Sequence, residues 1–149
     1  MLNWNQRTPE TAALLNPAFC GEVLLAFSQE YAQEDARGVP FPLAFLVLPL
    51  ALNERVCRAM HPKPPRYLHS FFKKQPDARI GFAERVRAYN SFSRETIQFL
   101  GQRKLIEFAG GRIKPCDPSL PKNNRPDLAL HFKAARALAR WFAAHDDVA

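Results

Sequence analysis

The first strong hydrophobic pattern along the chain lies between Pro17 and Glu34. Apolar residues recur there at spacings of three and four, which is the repeat of one face of an α-helix. Asn16 supplies an N-cap, and Pro17 suits the first helical position because its missing N–H has no partner there. The apolar stripe consists of Cys20, Val23, Leu24, Phe27 and Tyr31. The pattern therefore predicts a helix with this stripe buried and with Glu22, Glu30 and Glu34 on an acidic outer face.

The next segment, residues 43–52, is apolar on every side of a helix. This pattern is typical of a helix buried all round. Pro49 lies inside it and is expected to kink or split the helix, because proline removes one backbone hydrogen bond. The uncharged stretch 38–53 is too short, and too often interrupted by proline, to span a bilayer. A more polar helix is expected over 53–60.

Residues 77–103 show helical spacing with two polar residues in the middle. The spacing predicts one helix over 77–89 and a second over 92–103, separated by a turn at Asn90-Ser91. The strands predicted next, 105–108 and 112–114, are joined by a hairpin turn at Gly110-Gly111. This order of helix, turn, helix and hairpin is that of a winged helix-turn-helix.

The predicted fold class is mainly α, a compact helical domain with a winged helix-turn-helix-like unit and one short β-hairpin. The length of 149 residues suits a single domain, 1–149. Its predicted parts are a helical N-terminal part over 8–75, a winged-helix-like part over 76–115 and a C-terminal helix over 126–145.

The distribution of charge along the chain indicates which classes of partner could bind. The chain has a net charge of +7, and residues 55–104 hold twelve basic and three acidic side chains. A basic block suits a phosphate backbone or an acidic protein face, and the alternative is a solvated surface that keeps the protein soluble. The candidates for DNA or phosphate contact are Arg79, Arg85, Arg87, Arg94, Arg103, Lys104 and Arg112.

Motifs for catalysis or cofactor binding do not emerge from the sequence. It contains neither of the glycine-rich phosphate-binding patterns GxxxxGK[ST] and GxGxxG. Cys57, His61 and His69 do not have the spacing of a common zinc site. A Cys–His nucleophilic pair remains open, because its members meet in space rather than in sequence. Cys20 and His131 lie on apolar helix faces, where packing in the core is the expected role. We expect no enzyme activity, cofactor or metal.

The cellular location is inferred from the cysteines and from the first residues. Three scattered cysteines give no disulfide framework, which favours a reducing compartment. Residues 1–10 lack the basic start and apolar centre of a signal peptide. We expect a cytoplasmic protein with no membrane segment.

Two motifs resemble the middle component of three-component ABC ATPase systems. They are NPAF at 16–19 and PLAFLVLPL at 42–50, and the Gly110-Gly111 hairpin and ARWF at 139–142 agree in order. The residues that carry the resemblance as structural positions are Asn16, Pro17, Phe19, Pro42, Leu46, Pro49 and Trp141. The resemblance implies a small non-enzymatic subunit that works with an ABC ATPase of the SMC/Rad50 type and an effector. Such systems, Lamassu among them, are bacterial anti-phage defences.

Two functions are consistent with these observations. In the first, the chain is a non-catalytic adaptor that joins the ATPase head region to an effector, often a nuclease, and double-stranded DNA is a further contact. In the alternative, it is a free-standing winged-helix transcriptional regulator. Such a regulator would bind duplex DNA alone, with an affinity that falls steeply with salt, because each neutralised phosphate releases counterions.

Overall fold

The computed structural model describes residues 16–59, 81–117 and 129–144. Most of these residues are helical. The helices are α1 (Pro17–Glu34), α2 (Ala44–Ala51), α3 (Glu54–Ala59), α4 (Phe82–Gln102) and α5 (Ala129–Ala144). The strands are β1 (Val39–Pro40), β2 (Ile106–Ala109) and β3 (Arg112–Pro115), and a 3₁₀ turn, Phe41–Leu43, lies between β1 and α2. The prediction of a mainly helical fold with a short hairpin is confirmed.

Helix α1 has the predicted bounds and the predicted cap. The Asn16 Oδ1 accepts a hydrogen bond from the Ala18 N–H at 2.8 Å, and Pro17 occupies the first turn. The whole predicted stripe is buried. The acidic face needs one correction, because Glu30 is buried and its carboxylate accepts a 3.0 Å hydrogen bond from Arg140 of α5. Glu22 and Glu34 are exposed, as predicted.

The core is built around α1. This helix packs most extensively against α5, and also against α4, α2 and β3. Its large side chains Phe27 and Tyr31 have no exposed surface, and neither does Leu138 of α5. Since burying a large apolar side chain stabilises a fold by roughly 1.5–3 kcal/mol, this contact is a main source of stability.

Helix α2 is buried as its apolar pattern predicts, but Pro49 does not split it. The helix continues through Pro49 to Ala51, and the Leu52 N–H still donates to the Leu48 carbonyl at 3.0 Å. Pro49 is itself buried. The break comes instead at Asn53, whose Oδ1 accepts from the Val56 N–H at 3.2 Å and so caps α3.

The prediction of two helices with a turn at Asn90-Ser91 is wrong over 82–102. Both residues lie inside α4, which runs without interruption from Phe82 to Gln102. Asparagine and serine cost a helix interior only a few tenths of a kcal/mol, about as much as many other polar residues. Burial of Ile97 and Leu100 outweighs that cost. The described residues 82–102 therefore do not form the predicted helix-turn-helix, and the predicted start at 77 lies outside the described residues.

The hairpin is confirmed and gains a third strand. Strands β2 and β3 pair antiparallel, with Ala109 opposite Arg112 across the turn. Gly110 and Gly111 both have positive φ, at 60° and 75°, which is what a two-residue hairpin turn of type I′ requires. The sheet order is β1-β3-β2, with Val39 opposite Ile113. Strand β1 was not predicted, because two residues are too few to show an alternating pattern.

Gly38 allows β1 to reach β3. Its φ is +94°, and a Cβ placed there would lie 2.5 Å from the Ile113 carbonyl oxygen. Any side chain at this position would therefore force β1 away from the hairpin. Gly111 also has positive φ, but a Cβ there would meet no atom within 4 Å.

We predict that Gly38→Ala lowers the free energy of unfolding by about 2–4 kcal/mol, because strain and a backbone clash add. The matched control Gly111→Ala should cost only about 1 kcal/mol, which is the strain alone. Denaturant unfolding followed by circular dichroism measures both values. Equal costs for the two variants would contradict the close approach of β1 and β3.

Candidate functional site

An open groove of about 490 Å³ lies where three distant parts of the chain meet. We call it the aromatic groove, and its lining residues are Phe41, Phe45, Arg94, Ile97, Gln98 and Phe108. Phe41 comes from the 3₁₀ turn, Phe45 from α2 and Phe108 from β2, while α4 supplies the other three. Phe41 is 38% exposed and Phe108 is 57% exposed, which makes them the large apolar side chains that the described residues leave open to solvent.

The three phenylalanine rings form a continuous surface. The Phe41 ring meets Phe45 edge-on, with the ring centres 5.2 Å apart, and lies 6.1 Å from the Phe108 ring. Both distances suit favourable aromatic pairing. The rings therefore hold one another in place while their outer faces remain in water. A fixed and exposed apolar surface beside charged groups is typical of a protein-binding site.

One basic side chain lines the aromatic groove, and two others lie between α4 and β2. Arg94 lines the groove and is exposed. The guanidinium of Arg103 lies 4.3 Å from the centre of the Phe99 ring, close enough for a cation–π contact that fixes its position. Lys104 is exposed and has φ +58°, which turns the chain from α4 towards β2. The groove therefore combines apolar surface with positive charge.

The predicted contact residues Arg85 and Arg87 are not among the residues that line the groove. Arg87 is exposed on α4, two turns before Arg94. Arg85 is half-buried and lies 6.0 Å from the centre of the Phe82 ring. Arg79 lies outside the described residues.

Arg112 makes contacts inside the protein. Its Nη1 donates to the Gly38 carbonyl at 2.8 Å and lies 3.8 Å from Asp35 Oδ2, and its side chain is 16% exposed. The side-chain hydrogen bonds from Arg37 hold the pKa of Asp35 well below its usual range, and the charge of Arg112 adds to this effect. Asp35 is therefore ionised, and Arg112 links the end of α1 to β3.

The residues of the resemblance are mostly structural in the described parts of the chain. Asn16 and Pro17 begin α1, and Pro49 is buried in α2. Phe19 packs edge-on against Phe132, and Trp141 stacks on Phe142 with ring centres 5.7 Å apart. Leu46 is half-buried against the core and Pro42 is exposed in the 3₁₀ turn.

The structure brings one cysteine and one histidine together. Cys57 Sγ and His131 Nδ1 are 3.7 Å apart, and each lies 2.9 Å from the Ala51 carbonyl oxygen. Because a carbonyl only accepts hydrogen bonds, His131 must carry a proton on Nδ1 and has no lone pair there for the thiol. Cys57 is 1% exposed. The pair thus satisfies a carbonyl at the C-terminal end of α2, and it lacks the geometry of a nucleophile with its base.

The described residues form neither a metal-binding cluster nor a membrane-spanning helix. Across 16–59, 81–117 and 129–144, no three His, Cys, Asp or Glu side chains come close enough together to hold a metal ion. His61 and His69 lie outside these ranges. Among the helices α1 to α5, none has both the length and the apolar character needed to cross a bilayer.

The family relationship follows from the comparison with protein families. Residues 4–149 match the family described as ABC-three component (ABC-3C) system Middle Component 3. The chain belongs to this family. The match spans nearly the whole sequence, and it includes both segments that carry the resemblance noted above. The comparison with curated proteins and the comparison with solved structures found no match.

Sequence reasoning missed the aromatic groove of this middle component, although one signal was available. Phe41 stands between Pro40 and Pro42, where neither a regular helix nor a central strand can continue. A large ring at such a position has no regular element to bury it. The partner ring, Phe108, could not be found this way, because its strand pattern does not indicate which face the α-helices cover.

We predict that Arg112→Gln destabilises the middle component, whereas Arg94→Gln does not. Loss of the Arg112 contacts leaves the Gly38 carbonyl and Asp35 poorly satisfied, at a cost of about 1–3 kcal/mol. Arg94 is exposed, so its replacement should change the free energy of unfolding by less than about 0.5 kcal/mol. Thermal unfolding of both variants tests this, and a similar loss in both would show that Arg112 is not an internal residue.

We also predict that Cys116 reacts with a thiol reagent in the native state and that Cys57 does not. Cys116 is exposed, whereas Cys57 and Cys20 are buried. In a Cys116→Ser variant, the reaction with DTNB should slow by roughly a hundredfold or more, because it then requires local opening of the fold. Fast reaction of Cys57 in that variant would indicate an accessible thiolate and would revive the nucleophile hypothesis.

Proposed function

We propose that this protein is a non-catalytic adaptor that joins the ATPase of its ABC-3C system to an effector subunit. Membership of the middle-component family supports a role beside other subunits. The observation that carries the proposal is the aromatic groove, where Phe108 keeps 57% of its surface in solvent next to Arg94. An exposed ring bordered by arginine is the composition that protein–protein hot spots favour.

The nature of the partners follows from the resemblance of NPAF and PLAFLVLPL to middle components. We infer an ATPase of the SMC/Rad50 type, a nuclease-like effector and a role in anti-phage defence of the Lamassu kind. The arrangement of Cys57 and His131 around a backbone carbonyl supports a subunit without chemistry of its own. Catalysis would then belong to the other two subunits.

Contact with double-stranded DNA is the second candidate function. It is supported by four exposed basic side chains on or just after α4, namely Arg87, Arg94, Arg103 and Lys104. Their charge could meet phosphates without reading bases. The free-standing winged-helix regulator loses its main support, because α4 is one helix where that fold needs two.

Co-expression with the other two subunits tests the adaptor function. The wild-type protein should co-purify with the ATPase, and Phe108→Asp should reduce the recovered ATPase by about tenfold or more, as loss of a hot-spot ring does. Lys133→Glu is the control, because this exposed charge lies on α5, which contributes no residue to the lining of the aromatic groove. A wild-type protein that migrates alone as a monomer in the presence of both subunits would refute the adaptor function.

Gel shifts over a salt series test the DNA contact. If the exposed basic residues bind phosphates, an Arg94→Glu/Arg103→Glu double variant should lose duplex binding, and the wild-type affinity should fall steeply with salt. The same variant should keep at least part of its ATPase recovery, because the rings of the groove remain. A wild-type protein that binds no duplex at low salt removes the DNA contact and leaves the adaptor function standing.

A further inference from the structure

We propose that the outer edge of β2 binds an extended, acidic segment of a partner subunit, which adds to the sheet as a fourth strand. The proposal rests on the proposed function and states the form in which the partner docks. It unites three features of the same surface: unpaired backbone groups at Phe108, an apolar groove beside them and the positive charge of Arg94.

The first feature is the backbone of Ile106 and Phe108. In a hairpin with a two-residue turn, Ala109 and Arg112 flank the turn and exchange both hydrogen bonds. The alternation of an antiparallel pair then directs the N–H and C=O groups of Glu107 towards β3. Those of Ile106 and Phe108 must point to the outer edge.

Neighbouring hydrogen bonds agree with this alternation. The Cys116 N–H donates to the Leu105 carbonyl at 2.9 Å, two residues before Glu107, which places inward-facing groups at odd positions of β2. On the other side of β3, the Phe41 N–H donates to the Gly111 carbonyl at 2.9 Å, so the odd positions of that strand face β1. The outward groups of Ile106 and Phe108 make no hydrogen bond to another residue in the described part of the chain.

The edge is open to a partner. Glu107, Phe108 and Ala109 are all exposed, whereas Ile106 is buried, so the accessible backbone groups of this edge are those of Phe108. Strand β2 contains no proline and no bulge, which are the usual means of blocking an edge. The opposite edge is different, because β1 has only two residues and Pro40 has no N–H to donate. Of the two edges of this sheet, β2 is therefore the one that can accept a strand.

The aromatic groove lies beside the same edge. The side chains of Ile106 and Phe108 point to one face of the sheet, and the Phe108 ring forms a wall of the groove. A strand added to β2 would direct alternate side chains to this face. One large apolar side chain could then pack against Phe41, Phe45 and Ile97, and burial there would supply affinity and fix the register.

The charged residues near the groove indicate which kind of partner segment would bind there. Arg94 lines the groove, and Arg103 and Lys104 lie in the connection between α4 and β2. Glu107 lies on the opposite face of the strand from Phe108, since successive side chains alternate. An acidic segment fits these positive charges, whereas a second copy of this chain would bring like charges together. Nucleic acid does not fit the edge, because it has no row of alternating donors and acceptors to pair with a strand.

Hydrogen exchange of the wild-type protein, alone and in complex with the co-expressed ATPase and effector, tests the strand addition. The amide of Phe108 should exchange at least about tenfold more slowly in the complex, because it becomes hydrogen-bonded. The amides of Glu107 and Ala109 are internal controls, since they already bond to β3. A complex that forms while Phe108 exchanges at its free rate overturns strand addition and leaves the adaptor function intact. No complex at all overturns both.

A pair of variants at Phe108 provides an independent measure. Phe108→Ala removes the ring and keeps the outward N–H. Phe108→Pro removes the ring and the N–H but no bond to β3, because that N–H points outward. The proline variant should bind the partner at least about tenfold more weakly than the alanine variant. Circular dichroism checks that both fold, and equal binding by two folded variants would overturn strand addition.

Two further measurements test whether a second copy of this chain or a nucleic acid occupies the edge and the groove. Size-exclusion chromatography of the isolated protein should show a monomer. A dimer that Phe108→Pro dissociates would replace the partner segment with a second copy of this chain. A labelled single-stranded oligonucleotide should not compete with the partner subunit for the wild-type protein. Competition that Phe108→Ala abolishes would instead assign the groove to nucleic acid.

Discussion

Burial of α1 on nearly all sides is the constraint on which the rest of the described structure depends. A helix whose apolar surface extends from Phe19 to Tyr31 needs neighbours from several directions. The chain supplies them from distant positions, with α2 next to it in sequence, α4 and β3 in the middle and α5 near the end. The hydrogen bond between Glu30 and Arg140 fixes the contact of α1 with α5, since an unpaired carboxylate would be costly there.

This arrangement also creates the surface that we assign to binding. Once α1 ends at Glu34, the chain must turn back, and the close approach of Gly38 to Ile113 ties the returning segment to the hairpin. Arg112 reinforces that junction through the Gly38 carbonyl. The 3₁₀ turn that follows places Phe41 against Phe108, although the two lie far apart in sequence. The aromatic groove is thus a consequence of the same packing that covers α1.

The sequence predicted correctly those features that depend only on residues close together in the chain. The cap at Asn16, the stripe of α1 and the Gly110-Gly111 hairpin each depend on neighbouring residues, and all were predicted. The turn predicted at Asn90-Ser91 does not form, because the tertiary burial of Ile97 and Leu100 outweighs a weak local preference. The aromatic groove was beyond prediction for a related reason. Its members are ordinary apolar residues, and only the folded chain shows which of them the helices leave uncovered.

The structure separates the basic residues that make internal contacts from those that are exposed to a partner. Arg112 is engaged inside the protein, and Arg94 is the predicted contact residue that lines the groove. Exposed charges of this kind chiefly raise the rate of encounter with an acidic partner, and salt screens them. The rings and the strand edge act at short range and are largely insensitive to salt, so they set how long a complex lasts. In the proposed complex, charge would therefore speed the encounter with the partner, and apolar and backbone contacts would hold it.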